Sequence, residues 1–458
     1  MNAFKYVVLL CLPLQLFANN RDTLTIKEVI VQGNTKTDLN IILRELSFKS
    51  GDVISCWSCV ANENRQRLLN LFLFNAVDIQ LKQSTVLILL KERLYIWPKL
   101  DFTTADRNIN QWWLSKDIKR LNINSQIGFY NLQGQNKTLL LKSQLGYTTA
   151  FSLGYKQPYI NAQKTIGFQT LIQYAANKEI WIQTLNDKLQ FYNANDQTMI
   201  KRLGIENSLI YRPYIYTYHF LGLGFKHLQI SDSALMHQGS QPYLWNGLAR
   251  QNELNLNYQL LLDRRDYKGY PTQGYWLKAQ CDVNRFWANG SALNYMQIKG
   301  NAAKYVPISK HIYGAIGVSA KYSSLKHLPY NKFQSLGYGK DYLRGYELYV
   351  IDGHAFVISK LEIKWQFMQH TFKFLPKVKH YEFLPTKLFL SLFNDAGYVL
   401  NDRNDLLQTN SNQLPNTVLN GYGAGLNIVL FADYCARLEY SVNKMGGARW
   451  YVSFVTAL

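Results

Sequence analysis

Two periods divide the chain. From about Trp97 to the C-terminus apolar residues recur at every second position: Leu139, Leu141, Leu145, Tyr147 and Phe151 share one parity, with Lys142, Gln144 and Thr148 on the other. "ELNLNYQLLL" sets Leu254, Leu256, Tyr258, Leu260 and Leu262 against Asn255, Asn257 and Gln259, and "ARLEYSV" sets Ala436, Leu438 and Tyr440 against Arg437 and Glu439. A period of two belongs to a strand with two unlike faces. Upstream, residues 24–94 mix periods. "LTIKEVIVQG" alternates and predicts a first strand; "TDLNIILREL" has helical spacing with Asp38 available as cap; "ENRQRLLNLFLF" predicts a second helix. "AVDIQLK" and "TVLILLKE" predict two closing strands joined at Gln83 and Ser84. The expected module is a three-stranded sheet covered on one face by two helices.

Alternation alone also suits a soluble sandwich or propeller. The strand-like segments here run roughly nine to eleven residues with aromatics near their ends, the length and placement of a membrane-crossing strand with interfacial girdles. A closed barrel pairs every backbone group inside lipid. About 360 residues at roughly 22 per strand and connection give about 16 strands. The first 18 residues, with Lys5, an apolar run from Tyr6 to Phe17 and then Ala18, have the form of a signal peptide and are too short to span a bilayer. The fold expected is mainly β: a transmembrane antiparallel β-barrel of about 16 strands over 97–458, preceded by one small α+β domain over 24–94 and a signal peptide over 1–18.

Composition agrees with a barrel. Aromatic residues make up 14% of the chain and charged residues 17%, below the roughly 25% of a soluble domain. The net charge of +20 comes from Lys and Arg spread along the sequence rather than gathered in a stripe, which argues against a nucleic-acid partner and fits anionic lipid headgroups or a polar lumen. Of the cysteines, Cys11 leaves with the signal, Cys281 and Cys435 stand singly in strand-like segments, and Cys56 and Cys59 form a C-x-x-C. That pair suits redox chemistry, half a metal site, a local disulfide or two inert thiols. No G-x-S-x-G, H-E-x-x-H or P-loop occurs, so no catalytic residue, cofactor site or complete metal site is expected. "GYGAGL" (Gly421 to Leu426) lies in an alternating segment, where its glycines relieve crowding or curve a sheet.

"GYGKDYLRGYELY" (Gly337 to Tyr349) places Arg344 directly before Gly345, in a stretch that Gly337 and Gly339 loosen further. Parity supplies candidate partners. In "VISKLEIKW" Val357, Leu361, Ile363 and Trp365 form one face, so Glu362, with Lys360 and Lys364, faces the interior. In "LFLSLFNDAGYV" Leu388, Leu390 and Leu392 form the outer face, and Asp395 points inward. Arg344 either folds back onto these carboxylates through its planar, multi-donor head or is a solvated loop residue.

The chain resembles the BamA/TamA outer-membrane superfamily, of the bacterial surface antigen type. "LRGY" (Leu343, Arg344, Gly345, Tyr346) is similar to the family's arginine-glycine-aromatic motif, "FNDAG" (Phe393 to Gly397) to its aromatic-x-Asp-x-Gly strand motif, and "LEI" (Leu361 to Ile363) sits where the family carries a lumen-facing acid. "DRRDYKGYPTQGYWL" (Asp263 to Leu277) resembles another recurrent segment, and "VIVQGNTKT", "GDVIS" and "LFLFNAVDIQL" fall in the order of a POTRA domain. The resemblance implies that the Arg344 loop lies in the lumen and contacts Asp395, Glu362 or both. It also implies a periplasmic POTRA-like domain, a place in the bacterial outer membrane among its lipids, and unfolded β-barrel or secreted polypeptide clients, with periplasmic accessory proteins as further partners. The function expected is outer-membrane protein assembly or polypeptide translocation, the client held at a sheet edge near Ile79 and Ile88 and at a barrel seam. A passive pore or surface antigen, or dedicated secretion of one partner, is the alternative.

Overall fold

The computed structural model describes residues 24–104, 112, 116–194, 197–239, 241–339, 341–373, 383–402, 412–430 and 434–454. The expected signal peptide lies outside them. Sixteen antiparallel strands run in one sheet, each beside its neighbour in sequence, from Ile96–Thr104 as the first to Ala448–Phe454 as the last. The alternation is realised as read. Val357, Leu361, Ile363 and Trp365 of the twelfth strand (Ala355–Lys373) are exposed, as are Leu390 and Leu392 of the thirteenth (Phe383–Leu400), whereas Glu362, Lys364 and Asp395 are buried inside. Exposed leucines, isoleucines and tyrosines form the outer surface in this way around the sheet, the arrangement a lipid-facing barrel requires. Inside is a polar chamber of about 850 Å³ lined by Lys156, Glu206, Lys226, Asp282 and Lys299 among others.

The N-terminal module has a three-stranded sheet, Glu28–Gln32 parallel to the central Thr85–Glu92, which pairs antiparallel with Phe74–Lys82. Asp38 caps the first helix (Leu39–Glu45), accepting from the Asn40 N–H at 2.8 Å. The second helix is Trp57–Leu69, earlier than the apolar run suggested. Phe72 adopts φ 59°, which ends helical continuation and turns Leu73 and Phe74 into the sheet. Leu24–Thr25 separates from the first expected strand and pairs with Val53–Ile54. One expectation fails outright. Ile88 lies on the central strand with 0% exposure and both neighbours paired, so it offers no free edge; local sequence does not carry strand order. Ile79, on Phe74–Lys82, is on an outer strand with its side chain in the core.

Four successive barrel turns fasten the module. Gly134 O accepts from the Asp38 N–H at 2.9 Å, and Lys164 O accepts from Arg44 Nε at 2.6 Å. Tyr216 Oη lies 2.7 Å from Arg67 Nε, and Asp266 O accepts from Asn70 Nδ2 at 3.2 Å. At the centre Arg212 Nη2 donates to Glu45 Oε2 at 2.8 Å, and Arg212 Nη1 donates to Tyr159 Oη at 2.9 Å. Burial pushes the Glu45 carboxyl up, but the hydrogen bonds and charge of Arg212 outweigh it and hold the group below its ordinary 4.5.

Candidate functional site: a loop anchored inside the barrel

The connection between the eleventh strand (Ile312–Ser323) and the twelfth leaves the barrel at the end away from the module. It then turns back inside. Arg344 is 1% exposed. Its Nε donates to Asp395 Oδ2 at 2.9 Å and its Nη2 to Asp395 Oδ1 at 2.6 Å, a two-pronged pair that suits a guanidinium and no other cation. The Arg344 backbone N–H adds a third bond to Asp395 Oδ2 at 3.1 Å. The guanidinium lies over the Phe393 ring, 3.9 Å from its centre. Glu362 stands farther off, with Oε1 3.7 Å from Arg344 Nη1, beyond hydrogen-bond reach. Of the two acids that parity supplied, Asp395 is the direct partner and Glu362 an outer charge.

The surrounding backbone explains why glycines sit here. Gly345 has φ 89°, a left-handed turn that lets Arg344 and Tyr346 point to different strands. A side chain at Gly421 would stand 1.9 Å from Arg344 O, so the fourteenth strand (Leu419–Leu430) has to be bare where the loop crosses it. Leu343 packs over Gly397 in the same way, while Gly337 and Gly339 carry a turn ahead of Arg344 at positive φ. Tyr346 Oη donates to Asn420 O at 3.2 Å, and Asn443 Nδ2 donates to Gly345 O at 2.7 Å. The loop therefore ties together strands twelve to fifteen, the last of which (Tyr434–Asn443) borders the final strand.

Besides Lys364, which parity turns inward, three contributors were not picked out from sequence: Glu439, Arg437 and Tyr270. Glu439 Oε1 lies 3.7 Å from Arg344 Nη1, and Arg437 is buried beside it on the same inner face; the polar parity of "ARLEYSV" was the available signal. Lys364 lies 3.6 Å from Glu362 and 4.4 Å from the centre of the Tyr270 ring. Tyr270 comes from the loop after the eighth strand (Arg250–Asp263), which enters from the module end, and its Oη accepts from Asn427 Nδ2 at 3.0 Å. No local pattern announces that insertion. Among the described residues no cluster of metal-ligating side chains is present.

Among the described residues, no ladder pairs the first barrel strand with the last. The two ends of the described sheet are Ile96–Thr104 and Ala448–Phe454, and the second of these adjoins the wall that the loop holds.

An Omp85 superfamily domain matches residues 131–430, from the second barrel strand through the fourteenth. The chain belongs to the Omp85 superfamily. Omp85 barrels are outer-membrane proteins, and members of the superfamily act in outer-membrane protein assembly or secretion. The structure of this Omp85 protein is similar to that of BamA from Haemophilus ducreyi lacking POTRA domains 1-3, with a TM-score of 0.53 and 16% identity over 95% of this chain and 85% of that one. It is similar also to CdiB from Escherichia coli, with a TM-score of 0.52 and 11% identity over 94% and 75% of the two chains. At these identities the likeness is one of fold. No curated protein matches the chain.

Proposed function

We propose that this Omp85 protein handles polypeptides at the bacterial outer membrane, inserting or translocating client chains, with its POTRA-like module in the periplasm. The observation that carries the reading is that, among the described residues, no ladder joins the first barrel strand to the last. An extended client can add itself as a further strand at a sheet edge. The Arg344 loop makes such a seam tolerable. It fixes four neighbouring strands from within, so that opening is confined to the two edges and does not spread into the wall. The module's free edges, Glu28–Gln32 and Phe74–Lys82, offer the same kind of pairing before the client reaches the barrel. Lipids surround the exposed apolar belt, and accessory proteins would meet the module face.

A photoreactive residue placed at Leu100 on the first strand or Val452 on the last should crosslink to a nascent client in cells. The same probe at Leu256, on the eighth strand, should not. Equal capture at all three positions, or capture at Leu256 alone, contradicts a seam route.

A further inference from the structure

Neither the lumen nor the seam uses the Cys56-Trp57-Ser58-Cys59 motif. In the structure it is a disulfide at the head of the second helix. Cys56 is the cap residue yet makes no capping hydrogen bond, and no acidic residue occupies the first turn. Cys59 is exposed and Cys56 half-buried. The core closes without either sulfur: Ala61 and Leu68 hold the helix against a buried cluster running from Ile26 to Leu90, and Trp57 packs on Phe48 at 6.2 Å between rings. A bridge between residues three apart also closes a very short loop, where the restraint on the unfolded chain is least. A purely structural role is therefore weakly supported. The helix end is instead arranged for a leaving thiolate, because the cap side chain makes no hydrogen bond to the first-turn N–H groups and a negative sulfur at Cys56 would accept from them. The Ser58 hydroxyl lies 3.7 Å from Cys56 Sγ as a further donor.

We infer that Cys56–Cys59 is an exchange-active disulfide that oxidises cysteine thiols of polypeptides meeting the module. A substrate thiolate attacks Cys59 Sγ, the Cys56–Cys59 bond breaks, and Cys56 leaves as a thiolate held by the helix N–H groups and Ser58. A second substrate thiolate then attacks the substrate sulfur of the mixed disulfide and expels Cys59. The substrate departs with a new disulfide, and its two electrons, with two protons, reside on Cys56 and Cys59. Return to the starting state is the same exchange with a disulfide-bearing thiol oxidase. That the substrates are client polypeptides rests on the proposed function; the exchange chemistry does not.

The test uses the full chain folded in detergent, equilibrated with mixtures of reduced and oxidised glutathione, quenched with acid and read by peptide mass spectrometry. The bridge is expected to pass from oxidised to reduced within the range that glutathione covers, where structural disulfides resist reduction. In the Cys59→Ser variant the remaining Cys56 should alkylate at a pH below the ordinary thiol range of about 8.5, whereas Cys59 in Cys56→Ser should follow that range. Retention of the heat-resistant barrel in both variants establishes folding. A bridge that stays closed in reduced glutathione but opens with dithiothreitol overturns the proposal, as does a Cys56 thiol that titrates ordinarily. No client enters either measurement, so the failure of the assembly reading would leave these results intact.

Discussion

Replacing Arg344 with alanine is expected to remove the compact, heat-resistant form of the barrel from unheated gels. The substitution strips both side-chain hydrogen bonds from Asp395 and leaves that carboxylate, 0% exposed, facing the backbone N–H of residue 344 in place of a guanidinium. Breaking a buried pair by removing one partner costs about 3–5 kcal/mol, because the surviving charge stays desolvated. The loss of the Phe393 stacking contact adds to it. Asp395→Ala should match Arg344→Ala, since each orphans the other. Glu362→Gln should do much less, because its oxygens contact Arg344 only at 3.7 Å. Arg344→Lys should fall between, as an ammonium cannot reproduce the two-pronged geometry. Thermal unfolding in detergent, followed by gel mobility, ranks the four variants, and an Arg344→Ala barrel as heat-resistant as the parent would refute the anchor.

Releasing the module from the barrel is the second large effect. Arg212→Ala leaves Glu45, buried beneath the module, without its two-pronged partner and removes the donor to Tyr159. The same class of buried-pair loss, about 3–5 kcal/mol, is expected to fall on docking rather than on barrel closure. Acid should mimic it. The docked Glu45 carboxyl lies below its ordinary 4.5, so the contribution is fully present above that value and is lost as pH falls through the lower docked value. Limited proteolysis of the linkage around Glu92 to Tyr95 reads undocking directly. The parent should become sensitive only in acid, Arg212→Ala at neutral pH as well, and equal resistance of both at neutral pH would remove the clamp from the account.

What could be read from sequence was whatever a single strand encodes. Parity placed Glu362 and Asp395 inside because side chains alternate along a strand, and it holds from Leu361 to Trp365 on the twelfth strand, ahead of the register shift between Gln366 and Met368. What lay beyond reach depends on which segments meet. Ile88 reads as well for an edge as for a centre, and only the parallel pairing with Glu28–Gln32 buries it. The preference of Arg344 for Asp395 over Glu362 is a matter of about one ångström, set by Gly421 and Gly345 allowing the loop to descend close to the thirteenth strand. Tyr270 reaches Asn427 across the lumen from 157 residues away in sequence, and the Arg212–Glu45 clamp spans 167. Such contacts are products of closure, so no window of sequence contains them.

The proposed function takes the loop-held wall and the joint between the first and last strands as the route for other chains. Depleting the protein and profiling the outer membrane tests that most directly. The account predicts that several β-barrel proteins decline together while small-solute permeability changes only as a consequence. Undiminished levels of those proteins, with altered permeability alone or the loss of a single exported product, would contradict it.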